Sequence, residues 1–164
     1  MRLAGWAVVV VVLVDQASKY LVVQRLDLAT RQLIEVAPPW LSLRMAWNRG
    51  VNFGLFANDA GVTRWVLVAV ALAISAWVWW WVARERQSRK LQLAAGLLVG
   101  GALGNVVDRL IYGAVADFIN IAVPGIANPW SFNIADVAIF AGALGLVAFA
   151  GGGQKPRDAR EELR

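Results

Sequence analysis

Apolar residues run almost unbroken through four stretches of this chain: Leu3 to Val23, Trp65 to Val82, Leu91 to about Tyr112, and Ile134 to Ala150. A hydrocarbon core about 30 Å thick takes roughly 20 mostly apolar residues in a helix, so each stretch predicts a membrane span. Between the first two, Leu41, Leu43, Met45 and Trp47 alternate with Ser42, Arg44 and Ala46. That period of two, within the loop from Leu33 to Trp47, predicts a strand on the exported membrane face with its apolar side toward lipid or helices. "FANDAG" (56–61) reads as a turn or short interfacial helix leading into the second span. The expected fold is therefore an all-α membrane protein with four transmembrane helices and a small extramembrane β-strand cradle. Residues 1–164 form one integral membrane domain, with an exported loop at 24–63 and a charged cytoplasmic tail at 151–164.

Composition agrees with that pattern. The 164 residues are 59% hydrophobic and 16% charged, and a mean hydropathy of +0.57 describes a chain whose solvent is the bilayer. A net charge of +5 could suggest nucleic acid, but the basic residues cluster at segment ends, in "RERQSRK" (84–90) and in the tail at Lys155, Arg157, Arg160 and Arg164. The positive-inside rule accounts for this and places both termini in the cytoplasm, with no nucleic-acid partner. The loop from about Tyr112 to Asn133 has no Lys or Arg, as an exported loop should, whereas Arg25, Arg31, Arg44 and Arg49 in the longer loop run against the rule. Trp77, Trp79, Trp80 and Trp81 crowd the end of the second span that meets the basic cluster, where an aromatic belt belongs, and Trp65 marks its other end. Met1 to Val14 resembles a signal peptide, with Arg2 before an apolar run. No small-x-small cleavage site follows it, so the first helix is read as retained.

Absences narrow the chemistry. The chain has no Cys and no His, which removes disulfides, thiol nucleophiles, Ser-His and Cys-His arrangements and nearly every zinc site. Neither a metal nor a cofactor is expected. Ser18-Lys19 invites a nucleophilic dyad, but adjacent helical residues point about 100° apart, and a stray Ser beside a snorkelling Lys is the better account. Gly96, Gly100 and Gly104 fall at i, i+4 and i+8 and clear one helix face for close packing.

The remaining candidates are ionisable groups inside or beside the spans, where each costs at least a few kcal/mol and is a functional candidate by default. Asp15 and Lys19 share a face of the first helix at i, i+4. Asn105, Asp108 and Arg109 form a polar stripe at i, i+3 and i+4 on the third. Asp117 stands in "GAVADFIN" and Asp136 opens the last helix in "FNIAD". With the topology above, all of these converge on the exported layer. If Asp117 and Asp136 come within a few ångströms, they cannot both ionise cheaply. The pair then shares a proton and can act as general acid and base without His or metal.

"GNVVDRLIYGAVADF" (104–118) followed by "FNIAD" (132–136) resembles the paired signatures of the lipoprotein signal peptidases, also called signal peptidase II, and "DQASK" (15–19) and "NRGVNFG" (48–54) extend the resemblance over nearly the whole chain. The resemblance implies an aspartyl endopeptidase of the bacterial inner membrane. Its active site would lie near the periplasmic face, and it would act as a monomer on prolipoproteins. The cut removes the signal peptide just before a diacylglyceryl-modified cysteine. It further implies that Asp117 and Asp136 are the catalytic dyad, that Asn48, Asn105, Arg109 and Asn133 surround it and orient substrate, and that Asp15, Lys19, Asp108 and Gly50 support it. Asn52 stands where the family commonly has a small residue. Two other classes remain beside this one: a small proton-coupled transporter using the same carboxylates as a relay, and a structural subunit using the Gly96-Gly100-Gly104 face for assembly.

Overall fold

The computed structural model describes residues 1–50, 60–84, 88–123, 125 and 128–150. Asn52, most of "FANDAG", part of the 84–90 cluster and the tail lie outside them. Helix α1 (Arg2–Lys19) continues through a π-helical turn at Tyr20–Arg25, and a single helical turn, α2 (Leu28–Arg31), follows. Strands β1 (Leu33–Ala37) and β2 (Leu41–Asn48) come next, then α3 (Ala60–Arg84), α4 (Arg89–Tyr112), strand β3 (Val115–Ile121) and α5 (Ile134–Ala150).

Among the described residues, three helical segments are long and apolar enough to cross a membrane: Arg2–Arg25, Gly61–Arg84 and Arg89–Tyr112. The fourth expected span, α5, is apolar but shorter, at 17 residues. Trp77 and Trp80 are exposed, the rings of Trp77 and Trp81 stack at 6.1 Å, and Arg84 lies 4.2 Å above Trp80, an arrangement suited to an aromatic belt.

The glycine stripe packs within the chain. A Cβ added to Gly100 would lie 2.8 Å from Val11 Cβ and 3.1 Å from Val8 Cα, and one on Gly104 would lie 2.8 Å from Asp15 Oδ2. Gly96 meets Ala4 and Ala7 in the same way, so the stripe is the seat of α1 and not a free assembly surface. On another side of α4, Gly101 and the facing Gly142 let α5 dock, with Ala135 and Leu98 filling the space a Cβ would take. Close backbone approach on two sides of α4 is what brings the polar ends of α1, α4 and α5 together.

The predicted strand at Leu33 to Trp47 is a hairpin. Strands β1 and β2 pair antiparallel around a turn at Pro38–Trp40, and β3 pairs antiparallel with β2, giving the order β1-β2-β3. Strand β3 is a finding that the residue pattern had not announced, since "VADFINI" read as part of a loop. It is buried on both faces through Asn120 apart from a half-buried Ile119, and such a strand shows no alternation of apolar and polar residues. Phe118, Ala116 and Met45 pack with Val22 and Leu28, so the π-helical turn and α2 form the floor beneath the sheet.

Because Gly100 has no room for a side chain, Gly100→Leu is expected to separate α1 from α4 and to destabilise the protein by ~1–3 kcal/mol, the usual range for overpacking. A thermal midpoint in detergent at or above that of the parent would contradict this packing.

Candidate active site

Asp117 sits on β3 and Asp136 in the first turn of α5, and the chain between them folds back to bring the two together. Phe132 follows β3 as a further short rung, its carbonyl accepting from Phe118 N and Ile119 N at 3.1 and 2.8 Å and its N–H donating to Ile119 O at 3.0 Å. Buried Asn120 holds the return, donating to Trp130 O at 2.7 Å and Asn128 O at 3.0 Å. Asn133 therefore arrives beside Asp117.

Asn133 is fully buried and makes contacts in both directions. Its Nδ2 donates to Asp117 Oδ1 at 2.6 Å, while its Oδ1 accepts from Asp136 N at 2.9 Å. Asp136 returns the contact, its Oδ2 accepting from Asn133 N at 3.2 Å. This is a capping box in which the capping residue also grips the second carboxylate. Asn105, from α4, donates to Asp136 Oδ1 at 2.9 Å and accepts from Asn133 Nδ2 at 3.2 Å. On the far side Asn48 Nδ2 donates to Asp117 Oδ2 at 3.0 Å. The register explains that reach: Ala46 is the partner of Asp117, so Asn48, two residues along β2, faces the same side. Gly50, at a φ of +111° that favours glycine, donates its N–H to Asn48 Oδ1 at 3.0 Å and sets that amide.

Below the pair lies an ionic cluster. Lys19 Nζ contacts Asp15 Oδ2 at 2.7 Å and Asp108 Oδ2 at 2.8 Å, and donates to Asn105 Oδ1 at 3.4 Å. Lys19 is 4% exposed and both carboxylates 0%, which corrects the expectation that the lysine snorkels. Two buried carboxylates hold the ammonium inward more strongly than the headgroup region can draw it out. Ser18 Oγ donates to Asp15 O at 2.7 Å, so it is occupied with its own helix. Arg109, in the last turn of α4 and half-buried, donates from Nη1 to Asn105 O at 3.4 Å and feels the charges of Asp117, Asp136 and Asp108.

All ten residues singled out in the sequence thus belong to one connected network. The reading missed Gln16, whose Nε2 donates to Asp108 Oδ1 at 2.8 Å, Asp15 Oδ2 at 3.2 Å and Gly104 O at 3.3 Å. A carboxamide among the apolar residues of a span, adjacent to Asp15, was the available signal. No group of three or more potential metal ligands occurs among the described residues.

The electrostatics of Asp117 suit proton transfer. Burial raises its carboxyl, the charge of Asp136 raises it further, and together they outweigh the hydrogen bonds from Asn48 and Asn133 and the Lys19 charge, so the group is pushed up to about 6. Asp136 occupies a helix N-terminus, the end that attracts negative charge. The arrangement is a pair of carboxyl groups held by shared amides, one of them protonatable near neutrality.

Replacing Asp136 by Asn removes the neighbouring charge, so the Asp117 titration should move below about 6 yet stay above the ordinary carboxylate range, because burial, the larger cause, persists. Infrared titration of the protonated-carboxyl stretch checks this, and an unmoved or raised midpoint would contradict it.

The family profile described as Signal peptidase (SPase) II matches residues 7–150. A protein named lipoprotein signal peptidase from Methylorubrum extorquens is 46% identical over 140 residues, covering 81% of this chain and 76% of that protein. One of the same name from Alteromonas mediterranea is 37% identical over 162 residues, covering 97% and 87%. A solved structure described as a bacterial membrane enzyme determined by the in meso method superposes with a TM-score of 0.77 at 26% identity, covering 92% of this chain and 94% of the other.

Proposed function

The chain belongs to the signal peptidase II family of aspartyl proteases, and from that premise we propose that Asp117 and Asp136 form its catalytic dyad, cleaving prolipoproteins at the bond preceding a diacylglyceryl-modified cysteine. The observation that carries the proposal is the single asparagine, Asn133, that holds both carboxylates at once. Asp136 takes a proton from a water while the water oxygen attacks the scissile carbonyl carbon, and Asp117 gives its proton to the carbonyl oxygen. As the resulting gem-diol collapses, the C–N bond breaks, the proton held by Asp136 passes to the leaving amine, and one hydroxyl returns its proton to Asp117, which leaves a carboxylic acid and restores both side chains. Arg109, with its planar fork of donors beside the pair, holds a substrate backbone carbonyl.

The protein is an integral membrane protein. In this reading α5 is the fourth span. At about 1.5 Å per residue its 17 residues reach ~26 Å, so the polar capping segment before it meets the headgroups. Both termini face the cytoplasm and the dyad faces the periplasm, at the depth where a lipid-anchored substrate diffusing in the membrane presents its bond. The enzyme works as a monomer, since the glycine face is already filled by α1.

Asp117→Asn and Asp136→Asn, made separately, keep shape and remove one half of the proton exchange. Each should remain folded in the membrane and lose cleavage of a diacylglyceryl-modified prolipoprotein by roughly 10²–10⁴-fold or more. Substantial cleavage by either variant would sink the dyad, and a defect in proton flux with cleavage intact would make the protein a transporter. Arg109→Lys keeps the charge and loses the fork. Cleavage should fall about tenfold, on the scale of one charge-assisted hydrogen bond, and parental activity would remove Arg109 from the substrate's contacts.

A further inference from the structure

Asp15 and Asp108 do more than neutralise Lys19. Asp15 Oδ1 accepts the backbone N–H of Ala135 at 2.9 Å, and Asp108 Oδ2 accepts the backbone N–H of Ala116 at 3.0 Å. Ala135 immediately precedes Asp136, and Ala116 immediately precedes Asp117. Each buried carboxylate therefore anchors the peptide next to one member of the dyad, and Lys19, between them at 2.7 and 2.8 Å, ties the two anchors to each other. Gln16 adds a second tie, reaching both Asp15 and Asp108.

We propose that the cluster of Asp15, Gln16, Lys19 and Asp108 is a spacer that sets the separation of Asp117 and Asp136 by fixing the backbone N–H of the residue before each. This rests on the dyad assignment above. The members are positioning residues, since none touches the reacting atoms. A buried ion cluster is a poor source of stability, because desolvation offsets much of its Coulomb gain. Its presence here is accounted for by the backbone N–H groups that its carboxylates also hold. Strand β3 and helix α5 are separate elements, tied to each other directly by the Phe132 rung and the Asn133 side chain. Without a rigid reference their two carboxylates would drift by the ångström or so that costs about 10²-fold in rate. The reference is α1, seated against the glycine face of α4, with the carboxylate oxygens reaching out from that joint to both sides.

Three variants at one position separate geometry from charge. Asp108→Asn keeps an acceptor where Ala116 N and Lys19 need it. It takes from Gln16 Nε2 one of its three acceptors, leaving Asp15 and Gly104, and it leaves Lys19 neutralised by Asp15. Asp108→Glu keeps the charge and moves the oxygens by about one methylene, and Asp108→Ala removes the acceptor. With each purified protein checked for a cooperative thermal transition in detergent, kcat for a diacylglyceryl-modified prolipoprotein should stay within about threefold of the parent for Asn. It should fall at least tenfold for Glu and Ala, with KM within twofold throughout. The order Asn above Glu is the signature of positioning, whereas a merely ionic role gives Glu above Asn. A folded Asp108→Asn protein with a tenfold loss in kcat, or a folded Asp108→Ala protein with parental kcat, overturns the proposal. If Glu and Ala fail to fold at position 108, the same three substitutions at Asp15 test the other arm, with the same expected order and the same overturning result. Asp117→Asn and Asp136→Asn run in the same assay keep the two readings apart. Activity in either overturns the dyad, and inactivity in both with the wrong order at position 108 overturns only the spacer.

Discussion

A lysine ammonium enclosed between two carboxylates, with almost no access to solvent, constrains everything around it. Such a group is tolerable in a membrane protein only when its partners are present and their own lone pairs are used. Lys19 can therefore be buried only if α1 comes within reach of α4, which requires Gly96, Gly100 and Gly104 to have no side chains. The carboxylates can be buried only if their other lone pairs find donors, and they find them in the backbone N–H groups of β3 and α5 and in Gln16. Helix packing, sheet position and the entry of the last helix thus follow from one requirement. In hydrocarbon no water is at hand to satisfy whatever is left over.

The same logic explains why the site sits at helix ends. Asp117 lies on a strand that leaves α4 through Gly113, whose φ of +77° ends the helix in the left-handed conformation. Asp136 lies in the first turn of α5, where Asn133 caps the helix. Helix termini leave backbone groups unpaired, and at the start of α5 the side chains that satisfy them are Asn133, Asp136 and Asp15. Capping and site construction use the same atoms. Asn133 is both a helix cap and the bridge between the carboxylates, so its two contributions cannot be assigned to separate causes.

Much of this was legible in the residues alone, for identifiable reasons. Long apolar runs announce membrane helices, and the bounds of α4 and α5 lie within a few residues of the apolar stretches. Polar residues inside such runs are costly enough to be noticed singly, and so Asp15, Lys19, Asn105, Asp108 and Arg109 stood out. Strand β2 showed because one side of it is more exposed than the other and alternation survives, whereas its hairpin partner β1, exposed along most of its length, was not separated from the loop. Strand β3 did not show, because a strand buried on both faces carries no period, and the carboxylate in its middle reads as a loop residue. Gln16 escaped because an uncharged amide breaks an apolar pattern less than a charge does. Lys19 was misjudged as a headgroup anchor because the alternative, an inward turn, depends on Asp108, which is 89 positions away in the chain and adjacent only after folding.

In the proposed mechanism, the environment of Asp117 lets a carboxyl do work that a histidine often does. Burial and the charge of Asp136 push its proton affinity up, and Asn48, Asn133 and Lys19 push it down. Burial alone would leave a carboxyl that holds its proton too firmly to give it to a carbonyl oxygen. Donors alone would leave a carboxylate that seldom has a proton to give. Opposed, they leave the group at about 6, close enough to neutrality for an acid to be useful in either direction of transfer. The two asparagines serve this balance better than cations would. A neutral amide stabilises the ionised form modestly and leaves the protonated form accessible, whereas a guanidinium or ammonium in direct contact would hold the carboxylate ionised. Lys19 fits the same rule, since its direct contacts go to Asp15 and Asp108 and it reaches the dyad only through Asn105 and through its field. Its charge is thus largely spent on the carboxylates that hold the backbone, and the dyad is left with amides.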